Sequence, residues 1–455
     1  MKIAALFRVI AAPAWATVVA LSAIATPAHA ALPIQQWTAP SGAKVMFVES
    51  RSIPMLDINI DFDAGSRYDP PGRDGLAAVT ADLLDAGALA AGGQPGLNEA
   101  QIADRFADVG AMSSTSAGRD AATVTIRTLS AAPERQAALA ALAQFLQHPA
   151  FPEAVLKREK SRLIASIAEA DTKPEVIAQK AFRRAMYGSH PYGASATAKS
   201  VGSLTRDDLV AFYRKTYSPR RAVVTLVGDI DRAEAERIVA QLTAGLPTGS
   251  PPPAMPPVAK LANAVQIDLP HPAEQAHILI GQPAIERADP DYFPLLVGNY
   301  VLGGGGFVSR LTSEVREKRG LTYGVTSYFM PQLQPGPFEI GLQTRREQAP
   351  EALKVVRATL DKFVAEGPTD SELKAAKDNL VNGFPLRLDS NRKLLANVAA
   401  IGFYGLPLNY LDTWTEKVTA VTVADIRAAF ARHLQPDRMV TVVVGPGDVF
   451  KAVSR

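Results

Sequence analysis

The sequence predicts an α+β protein made of two homologous halves, each an antiparallel-rich β-sheet covered by helices on one face. Three observations support this prediction: an internal repeat, a proline-rich segment near the middle, and a shared order of strand-like and helix-like periods. The repeat lies at an offset of 217 positions, where TRDDLVAFYRKTYSPRRAVVTLVG (205–228) aligns without gaps on TVADIRAAFARHLQPDRMVTVVVG (422–445). We therefore infer a duplicated unit.

The first thirty residues predict a secretory signal peptide. Lys2 and Arg8 give a basic start, an apolar stretch follows over 9–25, and Ala28-His29-Ala30 fits a small-x-small cleavage site. An uncleaved membrane anchor is the alternative, because the apolar stretch approaches spanning length. No other segment reaches eighteen uninterrupted apolar residues, so we expect no stable membrane insertion after cleavage. The predicted location is the periplasm, or the medium if the protein is secreted.

The domain prediction places the signal peptide at 1–30, a first α+β domain at 31–246, a linker at 247–260 and a second α+β domain at 261–455. The linker, PTGSPPPAMPPVAK, has too few apolar side chains to pack and is predicted to be stiff and extended. Lys and Arg number 48 against 45 Asp and Glu, which excludes a strongly basic, nucleic-acid-binding surface. The chain has no cysteine and so no disulfide.

Periodicity places the elements of the first half. Alternating apolar residues predict strands, and helical spacing predicts helices between them. Thr205, followed by acidic residues in the next turn, predicts a helix N-terminus. The predicted strands are AKVMFVE, MLDINIDFDAG, AATVTIRTL and AVVTLVGDI, and the predicted helices include GLAAVTADLLDAG, LNEAQIADRFADVG, RQAALAALAQFLQHPAF and EAVLKREKSRLIASIAEA.

Three segments resemble the pitrilysin/insulinase family of zinc peptidases, which includes the mitochondrial processing peptidase and the core proteins of respiratory complex III. They are DAGSRYDPPGRDGLA, YGSHPYGASATAKSVGSLTRDDLVAFYRKTYSPRRAVVTLVGD and LGGGGFVSRLTSEVREKRGLTYGVTSYF. The resemblance spans the mature chain and implies two homologous halves arranged as a clamshell around an extended peptide.

Active members of that family carry the motif H-x-x-E-H after the G-L-A segment. Two histidines one helical turn apart can bind one Zn²⁺, and the glutamate can take the proton of the metal-bound water. On that pattern this chain has Ala78 and Asp82 at the histidine positions and Ala81 at the glutamate position. The resemblance therefore implies a degenerate zinc motif.

The family's further zinc ligand, a downstream glutamate, maps to Ser166, with registers onto Glu159 or Glu169 as alternatives. With these ligands replaced, we expect no metal or other cofactor bound by this chain. Zinc is expected in a partner subunit.

The segment HPAEQAH, His271 to His277, is an alternative zinc site because it contains H-x-x-E and a further histidine. Pro272 and the following ILIG favour the start of a strand, with His271 and His277 on one face and Glu274 on the other. A metal role is therefore disfavoured. His433 is isolated in the sequence and is expected to be a capping or packing residue.

Arg316 and Tyr323, in REKRGLTY, fall where active members carry an arginine and a tyrosine that reach the zinc-bound substrate. The resemblance implies that this pair holds the substrate carbonyl and stabilises the oxyanion. A helix over FVSRLTSEVREK, ending at Gly320, is expected to present the arginine. The alternative is an ordinary solvated helix residue and an ordinary strand aromatic.

The run LGGGG predicts a mobile loop between two helices, because glycines restrict the backbone little. The resemblance places this loop near the substrate chamber. Its glycines are Gly303, Gly304, Gly305 and Gly306. A phosphate-binding loop is disfavoured because no G-K-S/T follows.

The functional hypothesis is a non-zinc-binding subunit of a periplasmic heterodimeric zinc metallopeptidase. Its partner would be a homologous subunit with an intact H-x-x-E-H motif, to which this chain donates Arg316 and Tyr323 in trans. The substrate would be a peptide or unfolded polypeptide, added as a strand to an exposed sheet edge. The alternative is a catalytically inert structural or peptide-binding scaffold of the same fold.

Overall fold

The computed structural model describes residues 33–446, which belong to one compact unit. The predicted signal peptide at 1–30 lies outside these residues. The strands of the first half are β1 (Gln35–Thr38), β2 (Lys44–Glu49), β3 (Met55–Phe62), β4 (Gly87–Ala88), β5 (Leu97–Asn98), β6 (Met112–Ala117), β7 (Ala122–Leu129) and β8 (Ala222–Gly228). Its helices are α1 (Leu76–Asp82), α2 (Glu99–Ala107), α3 (Ala132–Gln147), α4 (Glu153–Ala170), α5 (Pro174–Tyr187), α6 (Ala198–Gly202), α7 (Arg206–Thr216) and α8 (Arg232–Thr243).

The second half repeats this order. Its strands are β9 (Val265–Pro270), β10 (Gln275–Ile285), β11 (Val325–Phe329), β12 (Gly336–Arg345) and β13 (Val440–Gly445). Its α-helices are α9 (Tyr292–Asn299), α10 (Ala349–Glu366), α11 (Asp370–Gly383), α12 (Asn391–Tyr404), α13 (Trp414–Ala420) and α14 (Val423–His433). Residues 247–260, the predicted linker, form neither helix nor strand.

The two large sheets have the same topology. The first has the order β1-β2-β8-β3-β7-β6 and the second β11-β12-β10-β13-β9. Neighbouring strands are antiparallel, except for the parallel pairs β2 with β8 and β13 with β9. Strands β9 to β13 thus occupy the places of β2, β3, β6, β7 and β8. The predicted fold of two homologous halves is confirmed.

Local signals also repeat at the predicted offset. Helix α7 follows Thr205 and α14 follows Thr422, 217 positions later. The hydroxyl of each threonine accepts a hydrogen bond from the backbone N–H three residues on, and the carboxylate of the aspartate there accepts one from the threonine N–H. This capping box satisfies two backbone donors that a helix leaves free at its start.

The sheet of the first half packs its own helices against one face. Val45 and Phe47 of β2 and Val224 and Leu226 of β8 point into that core, where they join residues of α1, α3 and α8. This agrees with the predicted layer of helices on one face. The alternate residues of β2 and β8 point to the opposite face of the sheet.

The opposite face of each sheet is covered in part by a helix from the other half. Helix α12 packs on β8, β3 and β2, and its counterpart α5 packs on β13 and β10. A Cβ on Gly402 of α12 would lie 2.7 Å from side-chain atoms of Met46 and Val223. Each half thus places one helix, α5 or α12, on the sheet of the other half, and we call this the exchange of α5 and α12. Because of it, β8 and β13 are buried on both faces and consist mainly of β-branched and apolar residues.

Candidate functional site

Helix α1, which contains the degenerate zinc motif, begins at a tightly built turn. Gly75 precedes it with φ of 102°, a conformation that favours glycine. The carboxylate of Asp69 accepts hydrogen bonds from the backbone N–H groups of Gly75 (2.7 Å) and Ala77 (2.8 Å). Burial raises the pKa of Asp69 to about 6, although these hydrogen bonds oppose the shift. The turn therefore fixes the direction of α1.

The four degenerate positions lie in different environments. Ala78 and Ser166 line the same cavity, of about 580 Å³, between α1 and α4. Ala81 is buried in the core, with 1% of its surface exposed, and Asp82 is exposed. Two alanines, a serine hydroxyl and one carboxylate do not form a zinc site, because zinc in proteins takes three or four His, Cys or carboxylate ligands. These residues do not fit a catalytic zinc ion.

The alternative registers on α4 are separated by the structure. Although Asp82 is exposed at the surface, partial desolvation by the surrounding protein raises its pKa. The charge of Arg162 lowers this pKa and that of Glu159 raises it, so both side chains act on this carboxylate. Glu159 itself pairs with Arg162 at 2.7 Å. Glu169 instead pairs with Lys173 at 2.9 Å on an exposed surface. Of the two glutamates, Glu159 is the one associated with α1.

The segment before Arg316 differs from the predicted helix. Residues Gly306–Val308 form a 3₁₀ turn, and Thr312–Glu317 form a π-helical stretch. Gly320 has a φ of 60° and its N–H donates to the carbonyl of Arg316, which ends the helix where predicted. The Arg316 guanidinium lies 4.7 Å from the centre of the Phe307 ring, and its Nε lies 3.7 Å from Glu317. It is half-buried and only loosely paired.

The prediction of a mobile glycine loop is wrong for its first part. Gly303 and Gly304 belong to a π-helical extension of α9, Tyr300–Gly304, and only Gly305 and Gly306 form the turn that follows. A Cβ on Gly303 would collide with the Ser327 hydroxyl, so this glycine permits close packing on β11. Gly306 has a φ of 61° and open space around it. A glycine is therefore needed at position 303 for close packing and not for mobility.

Tyr323 lies in a hydrogen-bonded turn two residues before the start of β11. The hydroxyl of Thr322 donates to the Gln343 carbonyl oxygen (2.6 Å) and accepts from the Gly324 N–H (3.1 Å). Tyr323 is nevertheless 81% exposed. It lines a groove of about 440 Å³ whose walls include Glu175 and Gln179 of α5.

Glu175 and Gln179 also line the cavity beside Ala78 and Ser166, so the groove and the cavity adjoin. The structure thus brings Tyr323 of the second half and the degenerate motif of the first half onto neighbouring walls. Arg316 is not among the residues that line either space.

Within residues 33–446, His271, Glu274 and His277 do not form a cluster of three potential metal ligands. His271 precedes β10, and its Nε2 lies 2.9 Å from the Thr172 carbonyl oxygen. His277 lies on β10, where burial lowers its pKa and the nearby Glu175 opposes that shift. The prediction that both histidines share a strand face is wrong, because the strand begins only at Gln275.

His433, which is isolated in the sequence and predicted to be a capping or packing residue, lies in a polar cluster in the fold. Its Nε2 lies 3.0 Å from Asp291 and 3.7 Å from Asp289, and its Nδ1 lies 3.0 Å from the Ala284 carbonyl oxygen. Arg432 also holds Asp291 through two hydrogen bonds. Within residues 33–446 this is the one cluster of three potential metal ligands. The partners lie more than 140 positions apart, so sequence spacing could not reveal them.

The sequence interpretation also missed two arginines. Arg119, at the end of β6, and Arg183, on α5, line the cavity beside Ala78. The only signal was the charged GRD at the turn between two strands, which is common on protein surfaces.

Comparisons with known proteins agree with this architecture. The profile described as insulinase (peptidase family M16) matches residues 44–199, and the profile described as peptidase M16 inactive domain matches residues 203–380. A crystal structure of a peptidase M16 inactive domain from Pseudomonas fluorescens is 38% identical, with a TM-score of 0.85, and the match covers 91% of this chain and 98% of that one. This chain belongs to the M16 peptidase family.

Curated M16 relatives carry different names. A Streptomyces coelicolor protein named as an uncharacterized zinc protease is 31% identical over 63% of this chain and 64% of its own length. A Helicobacter pylori protein named non-peptidase homolog YmxG is 25% identical over 88% of this chain and 91% of its own length. No helix within residues 33–446 is both long enough and apolar enough to cross a membrane.

Proposed function

We propose that this M16 chain is the non-zinc-binding subunit of a heterodimeric zinc peptidase of the periplasm. It donates Arg316 and Tyr323 to the zinc site of a homologous partner that carries H-x-x-E-H. The observation that supports this most strongly is Tyr323, a large aromatic side chain that is 81% exposed on a hydrogen-bonded turn. An exposed phenol on a hydrogen-bonded turn beside a groove is suited to contact another molecule.

The chemistry assigned to this pair is hydrogen-bond donation. A zinc ion in the partner would polarise the scissile carbonyl and activate water. The Tyr323 hydroxyl and the Arg316 guanidinium would hold the carbonyl oxygen and stabilise the negative charge that develops on it. The Thr322 hydrogen bonds hold the backbone on both sides of Tyr323, which limits the conformational freedom that Tyr323 loses when substrate binds.

The surroundings of Arg316 suit this role. A strong ion pair would occupy the guanidinium, but Glu317 lies 3.7 Å from its Nε, outside hydrogen-bond distance. The exposed Phe307 ring supports the guanidinium by a cation–π contact instead. Its N–H groups are therefore available to a substrate oxygen.

We assign peptides or unfolded segments as the substrate. Strand β6 pairs with β7 on one side and ends the first sheet, so its other edge is open within residues 33–446. An extended peptide can add to such an edge through backbone hydrogen bonds. A folded protein has no free strand of this kind to offer.

The second candidate is an inert scaffold that binds peptide or organises a partner. The absence of a zinc ligand set at Ala78, Ala81, Asp82 and Ser166 favours it equally. The name non-peptidase homolog, given to the Helicobacter pylori relative, supports it as well. It differs from the first candidate in assigning no chemical role to Arg316 or Tyr323.

Mixing experiments separate the two candidates. The purified chain, a homologous H-x-x-E-H chain from the same organism, and their mixture are assayed on an unstructured fluorogenic peptide. We expect cleavage to rise in the mixture and kcat to fall about a hundredfold or more with Tyr323→Phe or Arg316→Ala.

Matched controls use neighbouring residues of the same type. Tyr328→Phe changes another exposed tyrosine, and Arg319→Ala changes an arginine that pairs with Glu314. Both should keep the rate of the mixture. A mixture in which all four variants cleave as fast as the wild type would leave the scaffold as the function.

A further inference from the structure

The cavity beside Ala78 contains polar groups that the proposed donation of Arg316 and Tyr323 does not use. It is formed by the end of β6, α4, the start of α5 and the loop at 194–196. Its charged wall residues are Asp69, Asp74, Arg119, Glu175, Lys180 and Arg183.

Arg119 is the first of two guanidinium groups in this wall. It makes one hydrogen bond, from Nη1 to the Tyr192 carbonyl oxygen at 2.7 Å. Burial lowers the pKa of Arg119 to about 10, and the next cause is the positive charge of Arg183. Both guanidinium groups line this cavity, and within residues 33–446 Arg119 makes no hydrogen bond other than the one to Tyr192.

Arg183 is less well paired still. It has neither a hydrogen bond nor an ion pair with any residue in 33–446. The carboxylate that acts on it, Glu339, accepts its hydrogen bond from Gln179 at 2.6 Å. Burial again lowers the pKa of Arg183. A half-buried guanidinium without an acceptor raises the free energy of the folded state, because its N–H groups lose hydrogen bonds to water and form none with the protein.

The acidic residues of the wall are partly committed elsewhere. Asp69 caps α1 through the N–H groups of Gly75 and Ala77. Glu175 lies in the first turn of α5, where the helix dipole stabilises a carboxylate. Lys180 is paired with Asp171. Neither guanidinium is neutralised by a carboxylate of this wall through a hydrogen bond.

We propose that the cavity binds a carboxylate group between Arg119 and Arg183. A planar carboxylate matches the fork of N–H donors on a guanidinium, and an anion between the two arginines relieves both repulsion and lost solvation. Asp69, Asp74 and Glu175 in the same wall oppose a dianion such as phosphate more than a monoanion.

The size of the site points to a carboxylate carried by a peptide. A free small acid fills only a fraction of about 580 Å³, and the cavity adjoins the groove of Tyr323 across Glu175 and Gln179. A peptide segment can occupy both spaces. The carboxylate comes either from the peptide C-terminus or from an acidic side chain.

The test is a binding titration of the chain alone, with fluorescein-labelled unstructured peptides and anisotropy as the readout. One peptide ends in a free carboxylate, the second is its C-terminal amide, and the third is the amide with one internal glutamate. We expect at least one carboxylate-bearing peptide to bind about tenfold more tightly than the plain amide, because a charge-assisted hydrogen bond is removed. If the peptide with the free C-terminal carboxylate binds tightly, the site binds a peptide C-terminus. If the amide with the internal glutamate binds tightly, the site binds an acidic side chain.

Arg183→Gln should abolish this tenfold difference, and Arg183→Lys should retain part of it, because it keeps the charge and loses the fork. The matched control is Arg184→Gln, one position along α5 and exposed, which should bind as the wild type does. Equal affinity for all three peptides, or a carboxylate preference that survives Arg183→Gln, would overturn the proposal.

This inference stands apart from the proposed catalytic donation. The titration uses neither a partner nor turnover, so loss of carboxylate preference leaves the mixing experiment untouched. Equally, a mixture that cleaves nothing leaves the titration informative. Thermal unfolding of each variant checks that the binding change does not come from misfolding.

Discussion

The cavity beside α1 and the turn before β11 lie on adjoining walls but offer opposite chemistry. Ala78 and Ser166 line the cavity, while Ala81 is buried and Asp82 is exposed, and these four residues do not form a zinc ligand set. The turn holds Tyr323, fully able to donate a hydrogen bond and 81% exposed. The second half thus has an exposed hydrogen-bond donor, while the aligned positions of the first half lack a set of metal ligands. The difference favours a site completed by a second molecule.

The largest expected effect tests which residues of α1 face the core and which face the cavity. Ala81→Glu, at the position of the family's catalytic glutamate, would place a carboxylate where the side chain is 1% exposed. We expect it to lower the free energy of unfolding by about 3 kcal/mol or more, because a buried charge has no partner there. Ala78→Glu, which faces the cavity, should cost less than about 1 kcal/mol. Equal urea midpoints for the two variants would contradict this description of α1.

The next effect concerns the exchanged helix that joins the halves. Gly402→Ala should destabilise the protein by about 1–3 kcal/mol, because its methyl group would press on Met46 and Val223. Gly383→Ala, in the last turn of α11 with nothing within 4 Å, should be neutral or stabilising. Urea unfolding of both variants measures the contrast, and a harmless Gly402→Ala would mean that α12 is not packed so closely.

A pH effect tests the turn that directs α1. The pKa of Asp69 is about 6 in the folded protein and lower when unfolded, so the folded state binds more protons between about pH 4 and 6. Its contribution to stability is therefore present below pH 4 and lost as pH rises through 6. Relative to Asp69→Asn, the wild type should lose about 1–3 kcal/mol between pH 4 and pH 7. If the free energies of unfolding of the wild type and Asp69→Asn changed equally with pH, Asp69 would be exposed to solvent and this description of the turn would be wrong.

The smallest expected effect is the change in the free energy of unfolding when Tyr323 is substituted. Tyr323→Phe should change the free energy of unfolding by less than about 0.5 kcal/mol, because the hydroxyl is exposed and has no partner in residues 33–446. Thr322→Val should cost more, since it removes the hydroxyl that closes the turn. A large loss with Tyr323→Phe would assign the tyrosine a structural role.

Much of the fold was predictable because its signals are local or repeat. The predicted N-cap at Thr205 and the gapless offset of 217 indicated the duplicated helices, and the shared sheet topology confirms the two halves. The exchange of α5 and α12 was not predictable, because each helix packs on strands far away in the sequence. Local periodicity shows that a helix has an apolar face but not which sheet receives it.

In the candidate site, too, the sequence predicted which residues to consider but not how they are arranged. The family pattern located Ala78, Asp82, Arg316 and Tyr323, but the chain's own periods did not reveal their environments. The π-helical stretch at Thr312–Glu317 depends on contacts that no spacing encodes. Arg119 with Arg183, and His433 with its two aspartates, come together only in the folded chain.

The most direct test of the central claim is the zinc content and peptide cleavage of this chain alone and mixed with its H-x-x-E-H homologue. The account predicts no catalytic zinc and no cleavage in the pure chain, and cleavage in the mixture that depends on Tyr323. One tightly bound zinc per chain, with cleavage by the pure chain that is lost in Asp82→Ala, would contradict it.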